Sequence, residues 1–207
     1  MKISFSKKEI ADLLISIIAM AFLVAINIAF KPGLAGLTLL IAAVFAFPLA
    51  FLIIVPAFVL HELGHKVVAQ KFGFWAEYRM WTQGLLMAIL IMIISLMFGS
   101  PFLFVAPGAV YFSATMGRAT AEKTGRIGLI GPVINIMLAV IFGLAAIFIG
   151  NAGLAGLLFV GAKVNAFLAI FNLLPFSPFD GEKVFVWDKK LWGIAIALAA
   201  VLYLIPL

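Results

Sequence analysis

Long apolar runs separated by short polar breaks dominate this chain. Each run reaches or approaches the ~20 residues that a helix needs to cross a bilayer. Because lipid offers the backbone no hydrogen-bond partners, such segments are expected to be helical. The pattern therefore predicts an all-α polytopic membrane protein with about five full transmembrane helices. The five runs cover residues 10–30, 36–72, 127–150, 154–174 and 191–207.

The ends of the first two runs carry recognisable signals. Ser6 and Glu9 match a capping box and place the start of the first helix. This run is longer than the core of a signal peptide and no small-residue cleavage site closes it, so we expect a membrane helix. In the second run, Pro48 and Pro56 are expected to kink a helix that is longer than one crossing requires.

The segment between residues 74 and 113 has a different pattern. Residues 74–81 mix aromatic and charged side chains, which suits a membrane interface. Residues 84–98 are apolar but too few for a full crossing. Residues 102–113 are rich in aromatic and β-branched types around a central Pro-Gly, which predicts a β-hairpin or a re-entrant loop. We interpret 84–113 as one re-entrant helix/β-hairpin excursion that returns to its starting side.

The distribution of basic residues predicts the orientation. The net charge is +6, but the basic residues are scattered over short loops, which argues against a nucleic-acid partner. If the N-terminus and the loops at 66–79, 118–126 and 182–190 share one side, every Lys and Arg except Lys31 and Lys163 lies there. The positive-inside rule makes that side cytoplasmic.

A His-Glu-x-x-His sequence lies in the last third of the second run, and it contains both histidines of the chain. Residues four apart share one face of a helix, so His61 and His65 can direct imidazole nitrogens at one cation. Glu62 lies beside them and can act on a water at that cation. The alternative is a chance occurrence of polar residues, yet three such groups in a membrane helix cost several kcal/mol without a function.

A catalytic zinc site needs a third protein ligand. The chain has no cysteine, so thiolate ligands are excluded. Among the acidic residues only Asp180 follows the apolar end of a membrane helix, on the side that the layout assigns to the end of the second run. Asp180 also precedes a glycine, and an ordinary Asp-Gly turn is the alternative interpretation.

Three motifs together resemble the site-2 protease family of intramembrane zinc metalloproteases, over about residues 56–183. They are His61-Glu62-Leu63-Gly64-His65, Gly131-Pro132-x-x-Asn135 and Asn172-x-x-Pro175-x-x-Pro178-x-Asp180-Gly181. The resemblance implies one Zn²⁺ per chain on His61, His65 and Asp180, with Glu62 as general base. It also implies that the substrate is a transmembrane protein. The 84–98 insertion departs from the simpler members of that family.

Several further assignments follow. We expect a single membrane-embedded metalloprotease domain over 1–207, with its catalytic core at about 36–183. By the resemblance, Asn172 is the candidate donor to the oxyanion, the alternative being a hydrogen bond between helices. Asn135 is expected to serve helix packing. Lys163 is expected to be neutral, paired or facing a water-filled cavity, without a catalytic role.

Two other functions compete with this hypothesis. A metal-ion transporter could use the same His, Glu and Asp cluster, although the polar residues gather at one place and form no path. A prenyl-protein type of protease would need a glutamate as the third ligand, and no glutamate occupies a suitable membrane position. The substrate, the trigger for cleavage and the oligomeric state are not encoded in any recognisable pattern.

Overall fold

The computed structural model describes residues 4–104, 106–114 and 119–205. Helices alternate with two short strands along this part of the chain. The elements are α1 (Lys7–Ala29), α2 (Gly36–Lys71), β1 (Phe74–Met80), α3 (Thr82–Met97), β2 (Gly108–Ala114), α4 (Ala121–Phe148), α5 (Ala152–Asn172), α6 (Asp180–Trp187) and α7 (Lys189–Leu204).

Four of these helices, α1, α2, α4 and α5, are long and apolar enough to cross a membrane. This confirms the predicted class, an all-α polytopic membrane protein. The predicted number of full crossings was five, whereas the described residues contain four helices of that kind. The helix at the last predicted crossing, α7, has 16 residues and is shorter than a full span.

Two predicted loops are wrong because polar residues begin helices there. The 118–126 segment is helical from Ala121, where Thr120 caps α4 by accepting a hydrogen bond from the Lys123 N–H. The 182–190 segment consists of α6 and the start of α7. Asp188 separates these two helices and accepts hydrogen bonds from the first turn of α7. Acidic residues such as Glu122 and Glu182 suit the first turn of a helix as well as they suit a loop.

The sheet differs from the predicted hairpin. Strand structure in the 102–113 segment begins at Gly108, and the partner of β2 is β1, which we had interpreted only as an interface segment. Trp81, just after β1, donates its N–H to the carbonyl of Pro107, just before β2, at 2.9 Å. The strands are therefore antiparallel, and the alternation of charged and aromatic residues at Glu77, Tyr78 and Arg79 was a strand signal.

The chain divides into two compact units, Met1–Pro56 with Glu77–Tyr111 and Ala57–Ala76 with Phe112–Leu207. In the first unit, α1 begins at the predicted Ser6 cap, which accepts the Glu9 N–H. The Glu9 carboxylate accepts the backbone N–H of Tyr78 at 3.0 Å, and Asp12 accepts that of Met80 at 3.4 Å. Successive N–H groups of a strand point alternately to its two edges, and the N–H of Trp81 points to β2. The N–H groups of Tyr78 and Met80 point to the opposite edge. The carboxylates of α1 therefore cover the outer edge of β1.

In the second unit, α4 packs against α5 and α6, and α5 packs against α7. The Trp192 indole on α7 donates to the Leu173 carbonyl at the end of α5, at 2.7 Å. The Lys163 ammonium on α5 donates to the carbonyls of Tyr203 and Ile205 at the end of α7. Lys163 is thus paired, as expected, and it serves contact between helices.

Removing the Glu9 carboxylate should destabilise the protein. Glu9 is 1% exposed, so Glu9→Ala leaves the Tyr78 N–H buried without this acceptor, at a cost of about 1–3 kcal/mol. The measurement is the thermal unfolding midpoint in detergent. The control is Glu122→Ala, which removes an exposed ion pair with Arg126 worth at most about 1 kcal/mol. Equal midpoints for the two variants would contradict the structural role of Glu9.

Candidate metal centre

Two imidazoles from one turn of α2 form the centre of the site. His61 and His65 are 5% and 4% exposed, so both rings are almost fully withdrawn from the surface. Their ring centroids are 4.7 Å apart and the Nε2 atoms are 3.0 Å apart. The i, i+4 spacing in the sequence has therefore brought the same nitrogen of each ring to one point.

A carboxylate from α6 reaches the same point. Asp180 is the first residue of α6, and its Oδ2 lies 2.9 Å from His65 Nε2 and 3.5 Å from His61 Nε2. The three atoms are of the types that ligate metals and lie within 4.8 Å of one another. No second group of three such residues occurs in the part of the chain that the structure describes. Asp180 thus meets the histidine pair that the sequence suggested as its partner.

Hydrogen bonds behind the imidazoles set their tautomers. The Asn135 amide nitrogen donates to the Ala57 carbonyl and to Asn165 Oδ1, both at 2.9 Å. Its oxygen is therefore the atom that faces His61, and it accepts from His61 Nδ1 at 2.5 Å. His65 Nδ1 donates to the Ile127 carbonyl at 2.6 Å. Because each Nδ1 carries the proton, each Nε2 presents a lone pair.

This donor set fits a divalent cation. Two imidazole lone pairs and a carboxylate oxygen repel one another at such distances unless a positive charge lies among them. Zn²⁺ takes imidazole nitrogen and carboxylate oxygen as ligands, and two histidines with one carboxylate is a known catalytic set. Hydrogen bonds from the outer ring nitrogen to a carbonyl or amide are the usual support for histidine ligands.

Two further features agree with this fit. Glu62 is 8% exposed, and its Oε2 is buried without a hydrogen-bond partner among the described residues. Such an atom is costly unless water or a metal-bound group satisfies it.

Gly131 on α4 lies against the imidazoles, and a Cβ built there would be 2.6 Å from His61 Nε2. A glycine at 131 thus keeps the space beside the ligands open.

The remaining oxygen of Asp180 is held by a lysine. Lys183 Nζ lies 2.9 Å from Asp180 Oδ1. Burial would raise the pKa of Asp180, but the positive charge that His65 carries when protonated and the Lys183 ammonium hold that pKa well below its usual range. Burial likewise lowers the pKa of Lys183, yet Asp180 raises it above the ordinary value. At neutral pH this pair is a carboxylate and an ammonium.

Some residues of the site differ from expectation. Asn135, expected to serve helix packing, bonds to α2 and α5 and also holds His61. The sequence analysis assigned no role to Asn165 or Lys183. The available signal for Asn165 was an amide inside an apolar helix, and for Lys183 it was a lysine one turn after Asp180. Asn172 donates to the Leu168 carbonyl of its own helix at 3.0 Å. Its assignment as oxyanion donor stays a prediction, as do the catalytic roles of the other site residues.

Two curated relatives from Methanocaldococcus jannaschii are similar to this chain. "Putative zinc metalloprotease MJ0611" is 39% identical over 191 residues, which cover 92% of this chain and 90% of that protein. The chain belongs to this zinc metalloprotease family. "Zinc metalloprotease MJ0392" is 28% identical over 150 residues, which are 72% of this chain and 36% of that protein. No protein-family model and no solved structure matches the chain.

Membership in a zinc metalloprotease family and the grouping of the three donor atoms are independent observations. The first rests on identity along nearly the whole chain, and the second on the positions of three ligand atoms. The matched region of 191 residues is long enough that it must include most of the helices that build the site. The names of the relatives indicate zinc, and the structure contains a group of residues that could bind it.

Asn135→Ala should weaken metal binding without removing any ligand. His61 loses the acceptor at Nδ1 and is no longer held in one tautomer, so we expect a roughly 10–100-fold lower zinc affinity. Competition with a chromophoric chelator measures it. Asn151→Ala is the matched control, because Asn151 is exposed and caps the start of α5. An unchanged affinity in Asn135→Ala would show that the hydrogen bond does not orient the ligand.

Proposed function

We propose that this protein is an intramembrane zinc metalloprotease of the site-2 protease type, which hydrolyses peptide bonds in or near transmembrane helices of its substrates. The observation that carries the proposal is the convergence of His61, His65 and Asp180, with Glu62 adjacent. The motif lies on α2, a helix long and apolar enough to span a membrane. The bias of basic residues supports a cytoplasmic N-terminus and a site toward the cytoplasmic face.

The mechanism assigns a role to each side chain. His61 Nε2, His65 Nε2 and Asp180 Oδ2 would hold Zn²⁺, which supplies Lewis acidity and lowers the pKa of water toward ~7. Glu62 accepts the proton of the attacking water at its buried Oε2 and passes it to the leaving amine. Asn172 is proposed to donate a hydrogen bond to the developing oxyanion.

The helices outside the ligand set keep the imidazoles ready for this task. Asn135 on α4 holds His61, and the Ile127 carbonyl holds His65, so neither ring has to reorient when the site is loaded. Because these contacts come from α4 and the imidazoles from α2, the packing between these helices is part of the catalytic apparatus. Gly64 supports that packing, since a Cβ there would be 3.4 Å from Ile130 and nearer to Ile134.

A substrate helix must become extended before it can be cleaved, because its carbonyls are hydrogen-bonded and shielded by side chains. An open strand edge can stabilise the extended form by β-augmentation. The outer edge of β1 is covered by Glu9 and Asp12. On β2, the pairing of Trp81 with Pro107 directs the N–H groups of Val110 and Phe112 to the edge away from β1. We propose that the substrate adds to this edge of β2.

Zinc content and cleavage, measured together, test the proposed reaction. We expect one zinc per chain in the wild type and its loss in His61→Ala, His65→Ala and Asp180→Ala. Glu62→Gln should keep the zinc and lose hydrolysis of a membrane-helix substrate, because an amide cannot accept the proton. Cleavage by metal-loaded Glu62→Gln would contradict the role of Glu62 as the base. If reconstituted Glu62→Gln conducts metal ions and the wild type cleaves no substrate, the metal-ion transporter becomes the better assignment.

Proline substitutions test the role of the β2 edge. Val110→Pro and Phe112→Pro each remove one N–H from the proposed substrate edge, so we expect cleavage to fall roughly 2- to 10-fold with zinc still bound. Phe112→Pro also removes the ring beside Lys183, so Val110→Pro is the more specific test. Tyr111→Pro is the matched control, because its N–H points to β1 and its loss should lower thermal stability instead. Wild-type cleavage by folded, zinc-loaded Val110→Pro and Phe112→Pro would remove β2 as the platform.

A further inference from the structure

We propose that Lys183 is a positioning residue of the metal centre, which holds Asp180 so that only one carboxylate oxygen, Oδ2, is presented to the histidines. The inference rests on the proposed metal function and extends it to a residue outside the ligand set. Lys183 does not contact the reacting atoms in this assignment. It acts through Asp180.

The two oxygens of Asp180 face different partners. Oδ2 lies 2.9 Å from His65 Nε2, and Oδ1 lies 2.9 Å from Lys183 Nζ. A carboxylate can ligate a metal with one oxygen or with both. To offer Oδ1 as well, Asp180 would have to rotate and give up a charge-assisted hydrogen bond, which is among the stronger polar contacts in proteins. The ion pair thus favours the single-oxygen arrangement.

The backbone of α6 supports the arrangement. Asp180 and Lys183 are three residues apart on one helix, so a single element orients both side chains. This helix lies close to α4 at Gly128, where an added Cβ would be 3.0 Å from the Asp180 carbonyl and 3.2 Å from the Lys183 Cβ. The close approach restricts how α6 can shift, and the pair is positioned relative to the histidine supports on α4.

A second contact restrains the Lys183 side chain. Its ammonium lies 5.7 Å from the centroid of the Phe112 ring, within the range of a cation–π interaction. The Phe112 ring is itself stacked on Phe74, with centroids 5.9 Å apart and planes 11° apart. The flexible lysine is thereby held by the carboxylate and by an aromatic ring, and its side chain is only 30% exposed. The same ammonium connects the end of β2 to a ligand.

A one-oxygen carboxylate has a chemical consequence. A catalytic zinc site uses three protein ligands and keeps a position for water. A second oxygen from Asp180 would compete for that position. Sharing the negative charge with an ammonium also makes the carboxylate a weaker donor, which leaves a cation more acidic. Lys183 therefore favours both the open position and the acidity that hydrolysis needs.

Cobalt(II) substitution tests this inference without measuring activity. The d–d absorption of Co²⁺ is intense in four-coordinate sites and weaker at higher coordination numbers. We expect Lys183→Met and Lys183→Gln to absorb less per bound cobalt than the wild type, because Asp180 is then free to offer both oxygens. Lys183→Arg should retain most of the wild-type absorption, because a guanidinium can also donate to Oδ1. Circular dichroism identifies folded variants, and Lys183→Gln replaces Lys183→Met if the latter fails to fold.

Lys189→Met is the matched control. Lys189 also lies over an aromatic ring, that of Phe185 at 5.1 Å, but it does not pair with a ligand. Its cobalt spectrum should equal that of the wild type. If the folded Lys183 variants also match the wild type, the proposal is overturned while the metalloprotease assignment stands. If wild-type protein binds neither cobalt nor zinc, the metal function fails and the role of Lys183 fails with it.

Discussion

Mutual repulsion among three electron-pair donors is the constraint on which the second unit depends. His61 Nε2, His65 Nε2 and Asp180 Oδ2 converge in a buried place, and the donors are tolerated together only when a cation compensates them. Apolar helices would otherwise exclude such groups. The surrounding structure does not relieve the repulsion by turning the rings away. Hydrogen bonds to both Nδ1 atoms keep the lone pairs directed at one another.

Supports for the ligands come from several helices. Asn165 on α5 accepts from Asn135 on α4, and Asn135 accepts from His61 on α2, so a line of buried polar groups crosses three helices. In a membrane helix each of these amides would be costly alone. Together they satisfy one another and fix the position of an imidazole. Lys183 holds the Asp180 carboxylate in a similar way, with an ion pair in place of an amide hydrogen bond.

The first unit uses carboxylates for a different purpose. Glu9 and Asp12 point from α1 to backbone N–H groups of β1, where they terminate the sheet on that side. An uncovered strand edge can pair with any extended segment, so covering one edge restricts such pairing to the other. Acidic residues inside the first membrane helix thus bind the sheet, whereas in the second unit the Asp180 carboxylate lies against two imidazoles. Residue type alone does not distinguish these roles.

The sequence by itself determined the class of the protein and the core of its site. Apolar runs of the length of a bilayer require helices, and the i, i+4 spacing on a helix brings His61 and His65 together whatever else the chain does. Asp180, the third member of the group, could also be predicted, because few acidic residues adjoin a membrane helix. Tertiary structure decided the partners that come from distant positions. The pairing of β2 with β1 and the hydrogen bond between Asn135 and His61 depend on which distant segments pack together. Local pattern specifies the face that a residue occupies, but only packing determines what lies opposite that face.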